Sequence, residues 1–263
     1  MKAILASLLL ACTLSGEAFA QNMAVKNEAE GSLILHSVHA SKRVGQSFNT
    51  GAMSGEITSI AVKVSDQKPW NGGLLAFDLY ELNGTTLKLI GSSEIKGYFV
   101  NQVNERRFAS GIQLKAHTQY AFICRNNGLN TFNLVASTGD AYKEGTAFAC
   151  NTKENAPTNV NYNPENGVDL YFKVNLKVDG IIIYDAINYG GKSQMLKEGS
   201  YDIKDISAGI GNDKLASVKV PEGYEAILYG GAGFTGKVTN VSADVPDFGM
   251  YRNGISAIKV IKK

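Results

Sequence analysis

The sequence predicts an all-β protein, an N-terminal antiparallel β-sandwich of jelly-roll-like form followed by a smaller sandwich of two Greek keys. Three observations lead there. Short runs of alternating apolar and polar residues recur about every ten positions, and no long stretch carries a 3.6-residue period. The 263 residues include 28 glycines against 5 prolines, and 12 tyrosines with 11 phenylalanines, a mixture of turn formers and strand formers. The last third of the chain also carries one pattern twice, as a duplicated structural unit would.

The first twenty residues are a different kind of element. Met1-Lys2 precedes an apolar run from Ala3 to Leu14, and Ala18-Phe19-Ala20 closes it with a small-x-small exit. That arrangement predicts a secretory leader over 1–20, too short to anchor in a bilayer. Leu9-Leu10-Ala11-Cys12 has the outline of a lipidation box, but the apolar run ahead of Cys12 is short and the better exit follows it. Cleavage after Ala20 and a secreted or periplasmic destination are therefore expected. In an oxidising compartment the two remaining cysteines, Cys124 and Cys150, permit one intramolecular bridge, expected to contribute about 3 kcal/mol. A metal or nucleophile role for them lacks support, because no Cys-x-x-Cys is present and His117 is the one histidine near them in sequence.

Residues 21–177 read as the larger sandwich. Strands are expected at Ile60–Val64, Leu75–Leu79, Tyr120–Cys124, Phe132–Ala136, Thr146–Cys150 and Leu170–Leu176, with turns at Asn71-Gly-Gly, Asn83-Gly, Asn126-Asn-Gly and Asn166-Gly. Gln46-Ser-Phe48, Phe77-Asp-Leu-Tyr-Glu81, the run from Leu114 to Phe122, Gly139-Asp-Ala-Tyr142, Gly145-Thr-Ala-Phe148 and Asp169-Leu-Tyr-Phe172 follow in an order that resembles secreted bacterial β-sandwich accessory modules. The resemblance implies a module that engages carbohydrate or another surface component.

Several residues invite chemistry, and the plainer reading wins for each. Trp70 could stack on a sugar, yet an indole capping the end of a sandwich explains it as well. His36 and His39 have ligand-like spacing, but on a strand positions i and i+3 face opposite ways. The same rule separates Asp78 from Glu81, so these carboxylates are expected at the surface and not as an acid/base pair. Arg106-Arg107 is expected to be solvated. No nucleophile elbow, His-Glu-x-x-His helix or phosphate-cradling loop is present. With 26 basic and 24 acidic residues, the net charge of +2 gives no general attraction to nucleic acid or anionic membrane.

Residues 178–263 hold the repeat. Tyr184-Asp-Ala-Ile-Asn-Tyr189-Gly-Gly191 returns as Tyr229-Gly-Gly-Ala-Gly-Phe234-Thr-Gly236, each an aromatic, four residues, an aromatic, one residue and a glycine. Strand-like endings also match, Ser217-Val-Lys-Val220 against Ser256-Ala-Ile-Lys-Val260. At these residues the chain resembles the βγ-crystallin family, whose Greek keys carry this corner. Microbial members often bind calcium through Asn/Asp-Asn/Asp-x-x-Ser/Thr-Ser, one loop per key, each site borrowing the hydroxyl of the other key. The loops here are Asn212-Asp213-Lys214-Leu215-Ala216-Ser217 and Arg252-Asn253-Gly254-Ile255-Ser256-Ala257. The resemblance implies one calcium site from Asp213, the Lys214 carbonyl and Ser256. The reciprocal site, around Asn253, lacks a hydroxyl at Ala216 and opens on the Arg252 guanidinium.

The expected function is that of a non-catalytic exported protein, with calcium as cofactor at one site and an extracellular polysaccharide or cell-surface component as partner. A secreted protease inhibitor or antimicrobial protein of Greek-key type is the competing expectation.

Overall fold

The computed structural model describes residues 23–29, 33–38, 42–65, 73–126, 132–151, 167–252 and 254–263. The leader, Trp70, His39 and Asn253 lie outside them. The chain begins with β1 (Met23–Asn27), β2 (Leu33–Val38), β3 (Lys42–Asn49), β4 (Gly55–Val64), β5 (Leu74–Asn83), β6 (Thr86–Ser92) and β7 (Lys96–Gly97). It continues with β8 (Gln102–Arg107), β9 (Gln113–Leu114), β10 (Gln119–Asn126), β11 (Phe132–Thr138), β12 (Ala147–Asn151), β13 (Val168–Leu170) and β14 (Phe172–Val178). Each of the six expected runs falls on strand, although Tyr171 divides Leu170–Leu176 between β13 and β14 and Thr146 precedes β12. Asn83-Gly84 closes the β5–β6 hairpin, with Gly84 at a φ of 60° that the tight turn needs.

These strands make two antiparallel sheets packed face to face, as an all-β sandwich. One runs β1-β14-β4-β11-β13, with β2 added on β11 and with β8 and β9 added on β4; the other runs β12-β3-β10-β5-β6, with β7 on β5. Alternation along each strand sends one set of side chains between the sheets. Phe48, Phe77, Phe122 and Phe172 are fully buried there. Phe122 meets Phe77 edge-on at 5.7 Å and reaches Phe172 of the facing sheet at 5.8 Å. Burying each such ring stabilises the fold by roughly 1.5–3 kcal/mol.

The strand register corrects the expected disulfide. Cys124 carries a free, buried thiol inside the sandwich core. Its neighbour across the ladder is Val44 of β3, and Val44 in turn faces Ala149 of β12, one residue short of Cys150. Two strand spacings separate β10 from β12, about 9.6 Å, whereas a disulfide needs Cα atoms closer than about 7 Å. Strand-end positions in the sequence carried no information about which strands would be neighbours. Burial, and secondarily the Asp78 carboxylate, pushes the Cys124 thiol far above its ordinary value, so it is no nucleophile.

Two more expectations fail for the same reason, that sequence spacing does not report burial. Asp78 is buried on β5, where it accepts a hydrogen bond from Ser92 Oγ at 2.6 Å and pairs with Arg125 at 2.8 Å. Arg106 is likewise buried. Its guanidinium donates to the carbonyls of Leu75, Glu105, Lys96 and Gly97 at 2.6–3.2 Å, holding β5, β7 and β8 together. Arg107 alone of that pair is exposed.

Val178, at the expected start of the C-terminal unit, pairs with Gly55 of β4. The chain then turns through Asp179-Gly180 into β15 (Ile181–Tyr184), β16 (Ser193–Leu196), β17 (Gly199–Tyr201), a short helix α1 (Ile203–Ser207), β18 (Ser217–Lys219), β19 (Tyr224–Gly231), β20 (Thr235–Val241) and β21 (Ala257–Lys262). The sheets here are β16-β15-β18 and β17-β21-β19-β20. Strand β17 comes from the first copy of the repeat yet pairs with β21 of the second, Ser200 facing Lys259, so the copies share a sheet. Between the sheets lies a separate core including Ile181, Ile183, Leu196, Val218, Leu228 and Ile258. Ile182 and Tyr184 point the other way and join the core of the large sandwich.

Candidate functional site

Both repeated corners have the same unusual backbone. The second aromatic of each, Tyr189 and Phe234, adopts φ of 61° and 60°, a left-handed conformation that bulky side chains rarely take. The following glycines, Gly191 and Gly236, sit at 73° and 80°. A Cβ on Gly191 would strike the Asp185 carboxylate. Such strain of roughly 1–3 kcal/mol persists where neighbouring contacts over-determine it. Here those contacts are rings: Tyr184 against Tyr189 at 5.8 Å and Tyr229 against Phe234 at 5.5 Å, both near edge-to-face. A lysine completes each corner, Lys219 over Tyr189 and Lys259 over Phe234, both at 4.9 Å from the ring centroid. The lysines were visible in the sequence as matching positions of Val218-Lys-Val220 and Ile258-Lys-Val260, but nothing there marked them as partners of the rings.

The two loops expected to bear on calcium come together. Ser256 Oγ, from the second key, donates to Asp213 Oδ1, from the first, at 3.1 Å. Asn212 Nδ2 donates to the other carboxylate oxygen at 2.8 Å, and Asp213 itself stands at φ 52°. Two oxygens each about 2.4 Å from a calcium ion are about 3 Å or more apart, so this pair fits two ligands of one hard cation. Lys214 is exposed beside them, and Ser256 is nearly buried. Among the described residues no three of His, Cys, Asp or Glu converge, so any cation here would rely on one carboxylate and neutral oxygens.

The reciprocal position is built differently. Ala216 is buried and its carbonyl accepts from Phe248 N at 3.1 Å. Next to Phe248, Asp247 binds Arg252 through two contacts, 2.8 Å to Nε and 3.0 Å to the terminal nitrogen. The guanidinium that replaces an oxygen donor at the loop opening therefore has its own counter-ion. The donor set of Asp213 and Ser256 is compatible with a single calcium ion.

No family model matches the chain. Over 82 residues it is 39% identical to a development-specific protein S homolog and 38% identical to development-specific protein S, both of Myxococcus xanthus. Each match covers 31% of this chain and 47% of the relative, so the chain spans about half the length of these curated relatives. The matched length is close to that of the C-terminal unit. That segment is βγ-crystallin-like. Among solved structures, the N-terminal domain of protein S is 36% identical, covering 31% of this chain and 94% of that one, with a TM-score of 0.30. A βγ-crystallin domain from Flavobacterium johnsoniae is 31% identical over 32% of this chain and 97% of that one, with a TM-score of 0.32. Over this part of the chain the relatives are named as a developmental protein and a βγ-crystallin domain.

In the large sandwich, the motif residues meet at one buried polar cluster. Asp169 accepts from Gln46 Nε2 and from Tyr142 N, each at 2.9 Å, while Gln46 Oε1 accepts from Leu170 N at 2.9 Å. Gly145 is required by close approach, since a Cβ there would collide with the Ser47 carbonyl. Burial raises the Asp169 carboxyl above its ordinary value despite those two donors. This cluster joins the two sheets, so these motif residues hold the fold together. No described helix is long and apolar enough to cross a membrane.

Proposed function

We propose that the protein is an exported, non-catalytic binding protein. Its βγ-crystallin-like unit holds one calcium ion between the two keys, and its N-terminal sandwich engages a carbohydrate or cell-surface component. The observation that carries this reading is the Asp213–Ser256 contact, which brings oxygen donors from both keys within 3.1 Å of each other. The Lys214 carbonyl is the further ligand the reading assigns, and Asn253 belongs to the reciprocal position that Ala216 and Arg252 leave incomplete. Bound calcium would supply a positive charge that ties the keys together, and it would stabilise the folded unit by mass action.

With a single carboxylate, the affinity should fall in the weak range of extracellular calcium modules, on the order of 10⁻⁴ to 10⁻³ M. Calorimetric titration of the full chain should give one site. Ser256→Ala should weaken it about tenfold, the loss expected for one oxygen ligand. Unchanged affinity in that variant, or no binding by the parent protein at millimolar calcium, would overturn the assignment.

A further inference from the structure

We propose that the groove along the junction of the two units is a binding site for a linear polysaccharide bearing carboxylate groups. A cleft of about 880 Å³ separates the large sandwich from the first aromatic corner, a size usual for ligand sites. Its walls come from both units: Tyr142 and His117 on one side, Tyr184 and Tyr189 on the other. The cleft does not end there. At one end it runs past Lys26 and Lys219 into a hollow of about 190 Å³. At the other it passes His117 and Gly209 into one of about 410 Å³. An open-ended groove suits a chain that passes through, in preference to a small molecule held in a pit.

Charge and rigidity indicate the kind of chain. Lys26, Lys173, Lys192 and Lys219 line this path, against the carboxylates of Glu144 and Asp244, and Lys26 also pairs with Glu28. Lys219 is held at the wall by the Tyr189 ring. Partial burial depresses its pKa, so an anionic ligand would restore a charge interaction that solvent does not. Tyr142 is fixed by hydrogen bonds with the Asn49 backbone at 3.2 Å and by the edge of Phe172 at 5.2 Å. Fixed aromatic walls lower the ordering cost of binding. With Lys26 paired to Glu28, the lysines exceed the carboxylates by one, a modest positive surplus that fits a saccharide with about one carboxylate per ring. That surplus is far short of the 6–10 phosphate contacts that typical nucleic-acid binding uses.

This inference rests on the reading of the protein as a non-catalytic polymer binder, but not on calcium. The test is calorimetry on the full chain with a chelator present, using a galacturonate hexamer, a neutral gluco-oligosaccharide of equal length and a single-stranded oligonucleotide. Binding of the galacturonate alone, weakened by salt and about tenfold by Lys26→Gln with Lys192→Gln, is the expected result. Both lysines are exposed, so the double variant keeps its fold. Galacturonate binding that the double variant leaves unchanged would overturn the groove while sparing the wider carbohydrate reading. Equal binding of the neutral sugar, preference for the oligonucleotide, or no binding of any saccharide would also overturn it.

Discussion

The two Greek keys carry one corner in two surroundings. In the first key, Tyr184 is buried against the large sandwich and Ile182 and Met195 pack beside it. In the second, Tyr229 is half-buried, and β20 beyond it is exposed from Thr235 to Asn240. Backbone angles, ring geometry and the covering lysine agree between the copies, so the repeat determines the corner by itself. What differs is set by the neighbour. A sequence repeat is thus good testimony about local geometry and poor testimony about how much free energy each copy contributes.

The largest test of that contrast is truncation of the first ring in each corner. Tyr184→Ala should destabilise the protein by roughly 3–5 kcal/mol, since it empties a packed site shared by both units. Tyr229→Ala should cost about half as much, because solvent already reaches that ring. Denaturant unfolding of the two variants would measure the difference, and equal losses would mean the junction contributes little. A fragment from Val178 to Lys263 sharpens the same point. It should fold alone on its own core, but with Ile182 and Tyr184 exposed it should be less stable than in the full chain, as dispersed amide spectra and a lower Tm would report.

Next in size is the buried cluster of the large sandwich. Asp169→Asn should cost roughly 1–3 kcal/mol, because an amide cannot accept from both Gln46 and Tyr142 without turning a donor toward a donor. The pH dependence has a definite sign. A carboxyl raised in the folded state contributes most when protonated, and that contribution is lost as pH rises through its raised value. The cost of Asp169→Asn should therefore be greater in acid and smaller at neutral pH, which unfolding at several pH values would reveal.

Much of this was legible in advance. Alternation gave the strands, Asn83-Gly84 gave a hairpin, and two matching aromatic corners gave the C-terminal unit. The reciprocal loop scheme even placed Asp213 beside Ser256. Three things were not legible, for related reasons. Cys124 and Cys150 both end strands, but only the ladder order shows β3 lying between those strands. Asp78 and Arg106 look like surface charges in one dimension, whereas each meets its partner through a cross-strand contact. The Asp247–Arg252 pair sits outside the loop pattern on one side, so the pattern alone could not show it.

That pair gives a smaller test of the difference between the keys. Ala216→Ser restores the missing hydroxyl, but the Arg252 guanidinium remains at the loop opening with its counter-ion. The single variant should keep one calcium per chain. Adding Arg252→Asn should free an oxygen donor and raise the stoichiometry to two, read directly by calorimetry. A second site in Ala216→Ser alone would show that the ion pair does not close the position.

The smallest effect is expected where the two units join. Asp179, in the two-residue turn between them, accepts from Tyr224 Oη at 2.6 Å and from Lys262 Nζ at 2.9 Å, tying the turn to β19 and β21 of the second key. The Tyr224 hydrogen bond first, and Lys262 second, hold its carboxyl below the usual range. A depressed carboxyl contributes stability above its unfolded value near 3.9, and that contribution is lost as pH falls through the lowered folded value. The group is largely exposed, so solvent screening limits the gain to below about 1 kcal/mol. Asp179→Asn should be slightly less stable than the parent at pH 7, and the two should converge as pH falls through the lowered folded value. A gap that stays constant into strong acid would assign the effect to the shape of the turn and not to its charge.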